Sequence, residues 1–237
     1  TGNIMVDRRF LEAPNNVVIN DDRDLEMLKK WSNAVHEYNV RLIGQISHPG
    51  RQSPLSVTWE PMAPSKSAGA VKMLLPAFRP PREMTLEEIH QVREMYINAA
   101  EVLYKGGFDG AQVHAAHGYL ISQFLSPKFN QRNDEYGGSK ENRRRFLREV
   151  VLGIRERVKD PSFIICVKLN SADFQKGGFS EEESMDVVLM LSEMDVDFIE
   201  ISGGNYENGQ MMQSVTKFQK QRKTTREREA FFIDYVK

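Results

Sequence analysis

The stretch FDGAQVHAAHGYL, residues 108–120, decides the fold of this chain. Its first half, residues 108–114, is a short apolar run typical of a buried strand, and its second half carries two histidines and a tyrosine. A helix is predicted directly before it, over residues 85–105, because Thr85 and Glu88 have the spacing of a capping box. A long helix that leads into a strand ending in polar side chains is typical of a parallel βα unit.

The same alternation extends from this stretch in both directions along the chain. It predicts an α/β fold with a parallel sheet, and the absence of a Gly/Ser linker predicts a single domain over residues 1–237. Residues 1–7 are interpreted as the end of an earlier strand and its loop. The proline-rich residues 47–84 are interpreted as a long connection, which would be either a functional lid or a disordered segment. Strands are predicted at residues 40–46, 108–114, 163–169 and 196–202, and helices at residues 22–38, 85–105, 139–158, 180–194 and 225–236.

Composition limits the class of protein. The chain has 237 residues, 32 Lys and Arg against 33 Asp and Glu, and a net charge of -1, which argues against a nucleic-acid partner. No apolar run approaches the ~18 residues of a membrane helix, so no membrane partner is expected. The single cysteine, Cys166, excludes an internal disulfide and favours a cytoplasmic location. The length is close to the ~250 residues of a (β/α)8 barrel.

The densest group of chemically active side chains is His114, His117 and Tyr119, at the end of the strand in the opening stretch. Two imidazoles and a phenol could bind a metal, hold an oxyanion or shuttle protons. A metal would need a third ligand, and the zincin motif would need a glutamate where this chain has two alanines, so no metal site is predicted. The alternative, histidines that are only hydrogen-bonded in a loop, stays open at this point.

Two further polar residues interrupt apolar strands. Gln45 offers a donor and an acceptor, which suits the edge of a cyclic imide or amide, although taken alone it is more often a satisfied polar residue at a strand end. Lys168 needs a partner because an unpaired buried ammonium is costly, and a bound anion, an electron-rich ring or a carboxylate such as Asp173 or Glu200 would serve. These side chains and the histidine cluster all come from the carboxyl ends of different strands, which meet over one mouth in a barrel.

Together these motifs resemble those of the old yellow enzyme family, the FMN-dependent ene-reductases, in the branch that has two histidines in its site. The resemblance covers essentially the whole chain and implies a (β/α)8 TIM barrel, here incomplete and containing about strands 2 to 6. The matching segments are residues 45–51, 107–110, 114–120, 123–143, 167–173 and 199–204.

The resemblance also implies how a flavin would be held. Gln45 would hydrogen-bond the pyrimidine ring of FMN. Lys168 stands where the family usually has arginine, near flavin N1 and O2, so it keeps the charge but loses the planar fork. Gly2 would lie against the flavin at the end of the second strand of the family barrel.

For the substrate, the resemblance implies that His114 and His117 hold the carbonyl or nitro oxygen of a small molecule with an activated C=C bond. Hydride would pass from flavin N5 to the β-carbon, and Tyr119 would protonate the α-carbon. NADPH or NADH would be the electron donor, and a homo-oligomer is possible.

Strands one, seven and eight of the family barrel, the last two of which form the usual phosphate site, have no counterpart among these motifs. The chain is therefore expected to be a fragment that alone binds FMN weakly or not at all. An alternative function follows from this expectation: a truncated, non-catalytic remnant with a structural or partner-binding role.

Overall fold

The strands predicted from apolar runs form one parallel sheet. A computed structural model of the chain describes residues 1–71 and 76–207, and the helix predicted over residues 225–236 lies outside the described residues. The strands β1 to β7 span Asn3–Met5, Ile43–Ser47, Met62–Ala63, Arg82–Glu83, Gly110–Ala115, Ile164–Asn170 and Phe198–Ser202. The α-helices α1 to α5 span Leu25–His36, Leu86–Lys105, Leu120–Leu125, Lys140–Arg157 and Glu181–Ser192.

The main sheet has the strand order β1-β2-β5-β6-β7, and every neighbouring pair is parallel. The long helices α1, α2, α4 and α5 lie between successive strands of this sheet along the chain, which is the (β/α) repeat of a TIM barrel. All five strands predicted for the sheet are confirmed, including the one at residues 1–7. The helix α3 was not predicted, because six residues are too few to show a helical period.

The core lies between the sheet and helices α2 and α4. The predicted capping box begins α2: the Thr85 hydroxyl accepts from the Glu88 amide, and the Glu88 side chain accepts from the Thr85 amide. Tyr96 of α2 meets Phe146 of α4 edge to face, with ring centroids 6.3 Å apart. Gly44 lets α2 approach β2 closely, since a Cβ there would lie 2.6 Å from Leu103 Cδ1. In the described part of the chain, no helix is both long and apolar enough to cross a membrane.

The long connection after β2 contains more secondary structure than its sequence indicates. Its strands β3 and β4 pair in parallel, but each has only two residues, so neither gives a periodic signal. The buried Arg132 fastens this connection to the body of the chain, because its Nη1 donates to the Pro64 carbonyl at 2.8 Å and the Met84 carbonyl at 2.7 Å. The connection is thereby held beside the strand ends that carry the histidine cluster.

The register of the sheet decides which side chains share a layer. Residues opposite each other in parallel strands point to the same face. His114 of β5 lies opposite Lys168 of β6, which lies opposite Glu200 of β7. Gln45 of β2 lies opposite Gln112 of β5 and therefore sits one layer deeper than the histidine.

Candidate active site

A strained turn positions the histidine cluster at the end of β5. His117 has φ +60° and Gly118 has φ +75°, so two successive residues adopt the left-handed conformation, which is costly for a histidine. Neighbouring side chains hold the turn: the Asn170 Oδ1 accepts from the His117 amide at 3.1 Å, and the Gln52 Nε2 donates to the His117 carbonyl at 3.2 Å. Gly118 cannot be replaced easily, because a Cβ would lie 2.6 Å from Gln52 Oε1.

The turn brings the three predicted side chains into contact. The His114 ring lies edge-on to Tyr119, with centroids 4.7 Å apart, and edge-on to His117 at 5.1 Å. His114 is 2% exposed and Tyr119 is 3% exposed. The cluster is therefore a compact group of two imidazoles and a phenol, in which His114 and Tyr119 are buried and His117 is partly exposed.

Both imidazoles are neutral at physiological pH. Burial lowers the pKa of His114 well below its ordinary value, and burial together with the Lys168 charge lowers the pKa of His117 to about 4. The His114 Nδ1 accepts from the Ala116 amide at 3.2 Å, which assigns the ring proton to Nε2. The His117 Nε2 lies 2.5 Å from Ser202 Oγ. His114 can thus offer its Nε2–H as a donor without adding positive charge, and His117 can offer Nδ1–H when the Ser202 hydroxyl donates to its Nε2.

The Tyr119 hydroxyl has partners that the sequence did not reveal. It donates to Glu12 Oε1 at 2.6 Å and lies 2.9 Å from the Tyr206 hydroxyl. Burial, with the nearby Tyr206 and Glu12, raises the pKa of Tyr119, so the phenol stays protonated. Glu12 follows β1 in a loop without any motif, and Tyr206 follows the Gly203-Gly204 pair after β7.

Gln45 has its side chain oriented by a second amide. Its Nε2 donates to Asn3 Oδ1 at 2.5 Å, and the Asn3 Nδ2 donates to Glu12 Oε2 at 2.7 Å. The Asn3 Nδ2 also reaches the Tyr119 hydroxyl at 3.4 Å. Gln45 and the tyrosine cluster therefore belong to one hydrogen-bond network, although they lie in different layers of the sheet.

Lys168 is paired with a carboxylate. Its Nζ lies 2.8 Å from Glu200 Oε1, and Glu200 also accepts from Gln112 Nε2 at 3.0 Å. The other candidate partner, Asp173, is fully buried and instead accepts from the Ser126 hydroxyl at 2.7 Å. Of the partners left open by the sequence, the structure shows Glu200.

The residues present fit a flavin by their chemistry. A flavin pyrimidine edge offers carbonyl oxygens and ring nitrogens, which match the amide of Gln45 and the ammonium of Lys168. Nothing lies within 4 Å of where a Gly2 Cβ would stand, and Gly2 is exposed. Gly2 precedes β1 and does not stand at its carboxyl end, a correction that follows from the pairing of Asn3 with Gln45. Among the described residues, no three His, Cys, Asp or Glu side chains are grouped to hold a metal ion.

Comparison with known sequences points to one family. The sequence profile of the NADH:flavin oxidoreductase / NADH oxidase family matches residues 1–235. The NADH-dependent flavin oxidoreductase nadA of Aspergillus parasiticus is 36% identical over 240 residues, covering 99% of this chain and 52% of that protein. The NADPH dehydrogenase of a Geobacillus species is 36% identical over 183 residues, covering 77% of this chain and 51% of that protein. The chain spans about half the length of these two relatives.

Solved structures with a similar fold support the same conclusion. A complex of 2-naphthoyl-CoA reductase with 2-naphthoyl-CoA superposes with a TM-score of 0.81 and 29% identity, over 92% of this chain and 36% of that chain. The old yellow enzyme homologue from Zymomonas mobilis superposes with a TM-score of 0.74 and 28% identity, over 91% of this chain and 64% of that chain. These similarities confirm the expected fold class, with the described strands forming part of a TIM barrel.

Proposed function

This chain belongs to the NADH:flavin oxidoreductase / NADH oxidase family, and on that basis we propose that it passes reducing equivalents from NADH or NADPH, with FMN as cofactor, to a small molecule that has an activated carbon–carbon double bond. One observation carries the proposal. His114, His117 and Tyr119 form a buried cluster in which two neutral imidazoles lie beside a protonated phenol. That combination suits an acceptor whose oxygen is held by hydrogen bonds while one of its carbon atoms is protonated.

The histidines act on the oxygen of the acceptor. An alkene conjugated to a carbonyl or nitro group gains negative charge on that oxygen as it is reduced. The N–H groups of His114 and His117 donate to the oxygen and stabilise the charge in a setting from which water is largely excluded. Because both rings are neutral, the site favours an uncharged acceptor whose oxygen becomes negative only during the reaction.

Tyr119 acts on the α-carbon as a general acid. Its raised pKa keeps the proton on the phenol until a strongly basic carbon is presented to it. FMN, when bound, supplies hydride to the β-carbon. Gln45 and Lys168 would hold the pyrimidine edge of the flavin. Asn3 fixes which way the Gln45 amide faces.

The test is alkene-dependent oxidation of the nicotinamide by this chain in saturating FMN. NADH or NADPH oxidation should accelerate when 2-cyclohexenone or a nitroalkene is added, and should stay at background with cyclohexanone, which lacks the double bond. A flavin that is retained and reduced but not reoxidised by any activated alkene would contradict the proposed acceptor class. A chain that retains no flavin would support the alternative, a non-catalytic remnant.

Removing the carboxylate that neutralises Lys168 should tighten FMN binding. In Glu200→Gln the ammonium loses its ion-pair partner and is free to interact with the flavin. Because partly exposed pairs are worth little, we expect the FMN dissociation constant to fall only about two- to fivefold. Flavin fluorescence quenching measures the change. Glu193→Gln, at an exposed position, should have no effect, and a weaker affinity in Glu200→Gln would show that Glu200 orients Lys168 instead of competing for it.

A further inference from the structure

A carboxylate and a second phenol meet at the hydroxyl of Tyr119. The Glu12 Oε1 lies 2.6 Å from the Tyr119 hydroxyl and 3.2 Å from the Tyr206 hydroxyl, and the two hydroxyls are 2.9 Å apart. The three oxygens therefore form a triangle in which every edge is within hydrogen-bond distance, and the two phenol protons fill two of its edges at a time. Neither Glu12 nor Tyr206 has a role in holding the acceptor or the flavin in the function proposed above.

The side-chain amide of Asn3 fixes the direction of the hydrogen bond to Glu12. The Asn3 Oδ1 accepts from Gln45, so the Asn3 Nδ2 must be the donor that faces Glu12 Oε2. Glu12 thus accepts on both oxygens, as a carboxylate does. With Oε2 taken by Asn3, Oε1 faces both phenols. When Tyr119 donates to Oε1, the Tyr206 proton is free to point at the Tyr119 oxygen.

Glu12 and Tyr206 are held in place by the loops that carry them. In the loop after β1, the Phe10 side chain is buried against His48, with ring centroids 5.2 Å apart. The Ser53 hydroxyl donates to the Leu11 carbonyl at 2.8 Å, one residue before Glu12. In the loop after β7, the Gly204 carbonyl accepts from Asn170 Nδ2 at 2.9 Å. The triangle is therefore preorganised and does not depend on a bound acceptor.

The three residues of the triangle differ in their exposure to water, and this difference indicates the direction in which a proton would move through them. Tyr119 is almost completely buried, whereas Glu12 and Tyr206 are half-buried. Any proton that replaces the one lost by Tyr119 has to cross from water to a buried hydroxyl. The two half-buried groups bonded to that hydroxyl are the ones through which it can pass.

We propose that Glu12 and Tyr206 supply the proton that Tyr119 delivers, with Glu12 as the group that exchanges protons with water. The inference rests on the proposed function, because it assigns the source of the proton used there. Glu12 and Tyr206 are positioning and relay residues; Tyr119 remains the group that touches the acceptor.

The proton count balances without any further reactant. A C–H bond forms at the α-carbon, the Tyr119 O–H bond breaks, and its electron pair stays on the Tyr119 oxygen. The Tyr206 hydroxyl donates its proton to that oxygen across 2.9 Å, and Glu12 passes a proton taken from water to Tyr206. One solvent proton enters per double bond reduced. Burial, with the charge of Glu12, raises the pKa of Tyr206 to about 12, so both phenols are protonated between turnovers.

The experiment compares Glu12→Gln and Tyr206→Phe with the unchanged chain. Gln keeps the shape of Glu12 and can still accept from Tyr119, but it cannot carry a proton. We expect each variant to slow steady-state alkene reduction, in which Tyr119 must regain its proton at every turnover, by about 10- to 100-fold, which is at or below the low end of the 10²- to 10⁴-fold range for groups that act directly on the substrate. Flavin reduction by the nicotinamide should be unchanged. Glu60→Gln, at a side chain that is 72% exposed, serves as the matched control.

A second readout needs neither flavin nor acceptor. Tyrosine ionisation, followed by ultraviolet difference absorbance, should begin at lower pH in Glu12→Gln, because the carboxylate that opposes ionisation of Tyr119 is gone. The same substitution made in a Tyr119→Phe, Tyr206→Phe background should leave the titration unchanged. A merely structural role for Glu12 would not produce this dependence on the two phenols.

The outcomes separate the inference from the function on which it rests. If the unchanged chain reduces no alkene, the proposed function fails, and the titration alone then decides whether Glu12 controls the Tyr119 proton. If the unchanged chain is active, a normal steady-state rate of alkene reduction in Glu12→Gln overturns the relay, whatever the titration shows. A slow steady-state rate together with the titration shift supports it.

Discussion

Replacing Tyr119 with phenylalanine should lower the rate of alkene reduction by about 10²- to 10⁴-fold, the range for a general acid. The substitution removes only the hydroxyl, and the ring that packs edge-on against His114 stays. The nicotinamide half of the reaction uses no proton from this residue, so flavin reduction should continue at the unchanged rate. Single-turnover measurements of flavin reduction and reoxidation separate the two halves.

Tyr104→Phe is the control for that substitution. Tyr104 is 41% exposed and its hydroxyl donates to Asp160 at 3.2 Å, away from the cluster. The Tyr104→Phe substitution removes the same hydroxyl oxygen at a position away from the cluster. If Tyr119→Phe reoxidised its flavin with alkene as fast as the control does, another group would have to be the acid, and the role assigned to Tyr119 would be wrong.

Replacing His114 with alanine should cost about 10²- to 10³-fold in kcat for alkene reduction, as loss of one oxyanion donor does. Since His117 still donates, acceptor binding should weaken less than turnover.

The pKa of His117 is lowered to about 4 and that of His114 is lowered strongly, so neither ring changes its charge above about pH 5. The contribution of the pair should therefore be constant from pH 5 to pH 8.

The pH profile distinguishes a neutral pair from a charged one. An imidazolium donor would lose its proton as the pH rises through its pKa, and the unchanged chain would then slow between pH 6 and 8. His90→Ala, which removes an exposed imidazole, provides the reference for the effect of losing a histidine elsewhere. Equal rates in His114→Ala and His90→Ala would contradict the oxyanion role.

The parts of the site that the sequence predicts are the local ones. His114, His117 and Tyr119 lie within six residues at the end of one strand, so a strand prediction already places them together. Gln45 and Lys168 could be placed near the ends of two other strands for the same reason, and β5 lies between those two strands in the sheet. For Lys168 the sequence narrowed the partner to a carboxylate, an anion or a ring, and the pairing register of β6 with β7 selects Glu200.

The parts that the sequence does not predict come from distant loops. Glu12 and Tyr119 are 107 positions apart, and Tyr119 and Tyr206 are 87 positions apart. Their contact depends on how far the sheet curves and on the path of two loops, and neither leaves a periodic pattern. The same holds for Asn3, whose amide orients Gln45 only because β1 and β2 pair in one register. The sequence shows which residue types are present, but it does not show which distant residues the fold brings into contact.

The hydrogen bond between Tyr206 and Glu12 joins residues 194 positions apart, in loops that follow the two outermost strands of the main sheet. The entropy of closing so long a loop is lost before the contact contributes any stability, so docking of the intervening βα units favours the contact. We therefore expect the contact between Tyr206 and Glu12 to form late in folding. A partly folded chain would have the histidines of β5 in place but would lack the contacts of Glu12 and Tyr206 with Tyr119. The proposed proton relay would therefore operate only once the whole sheet has formed.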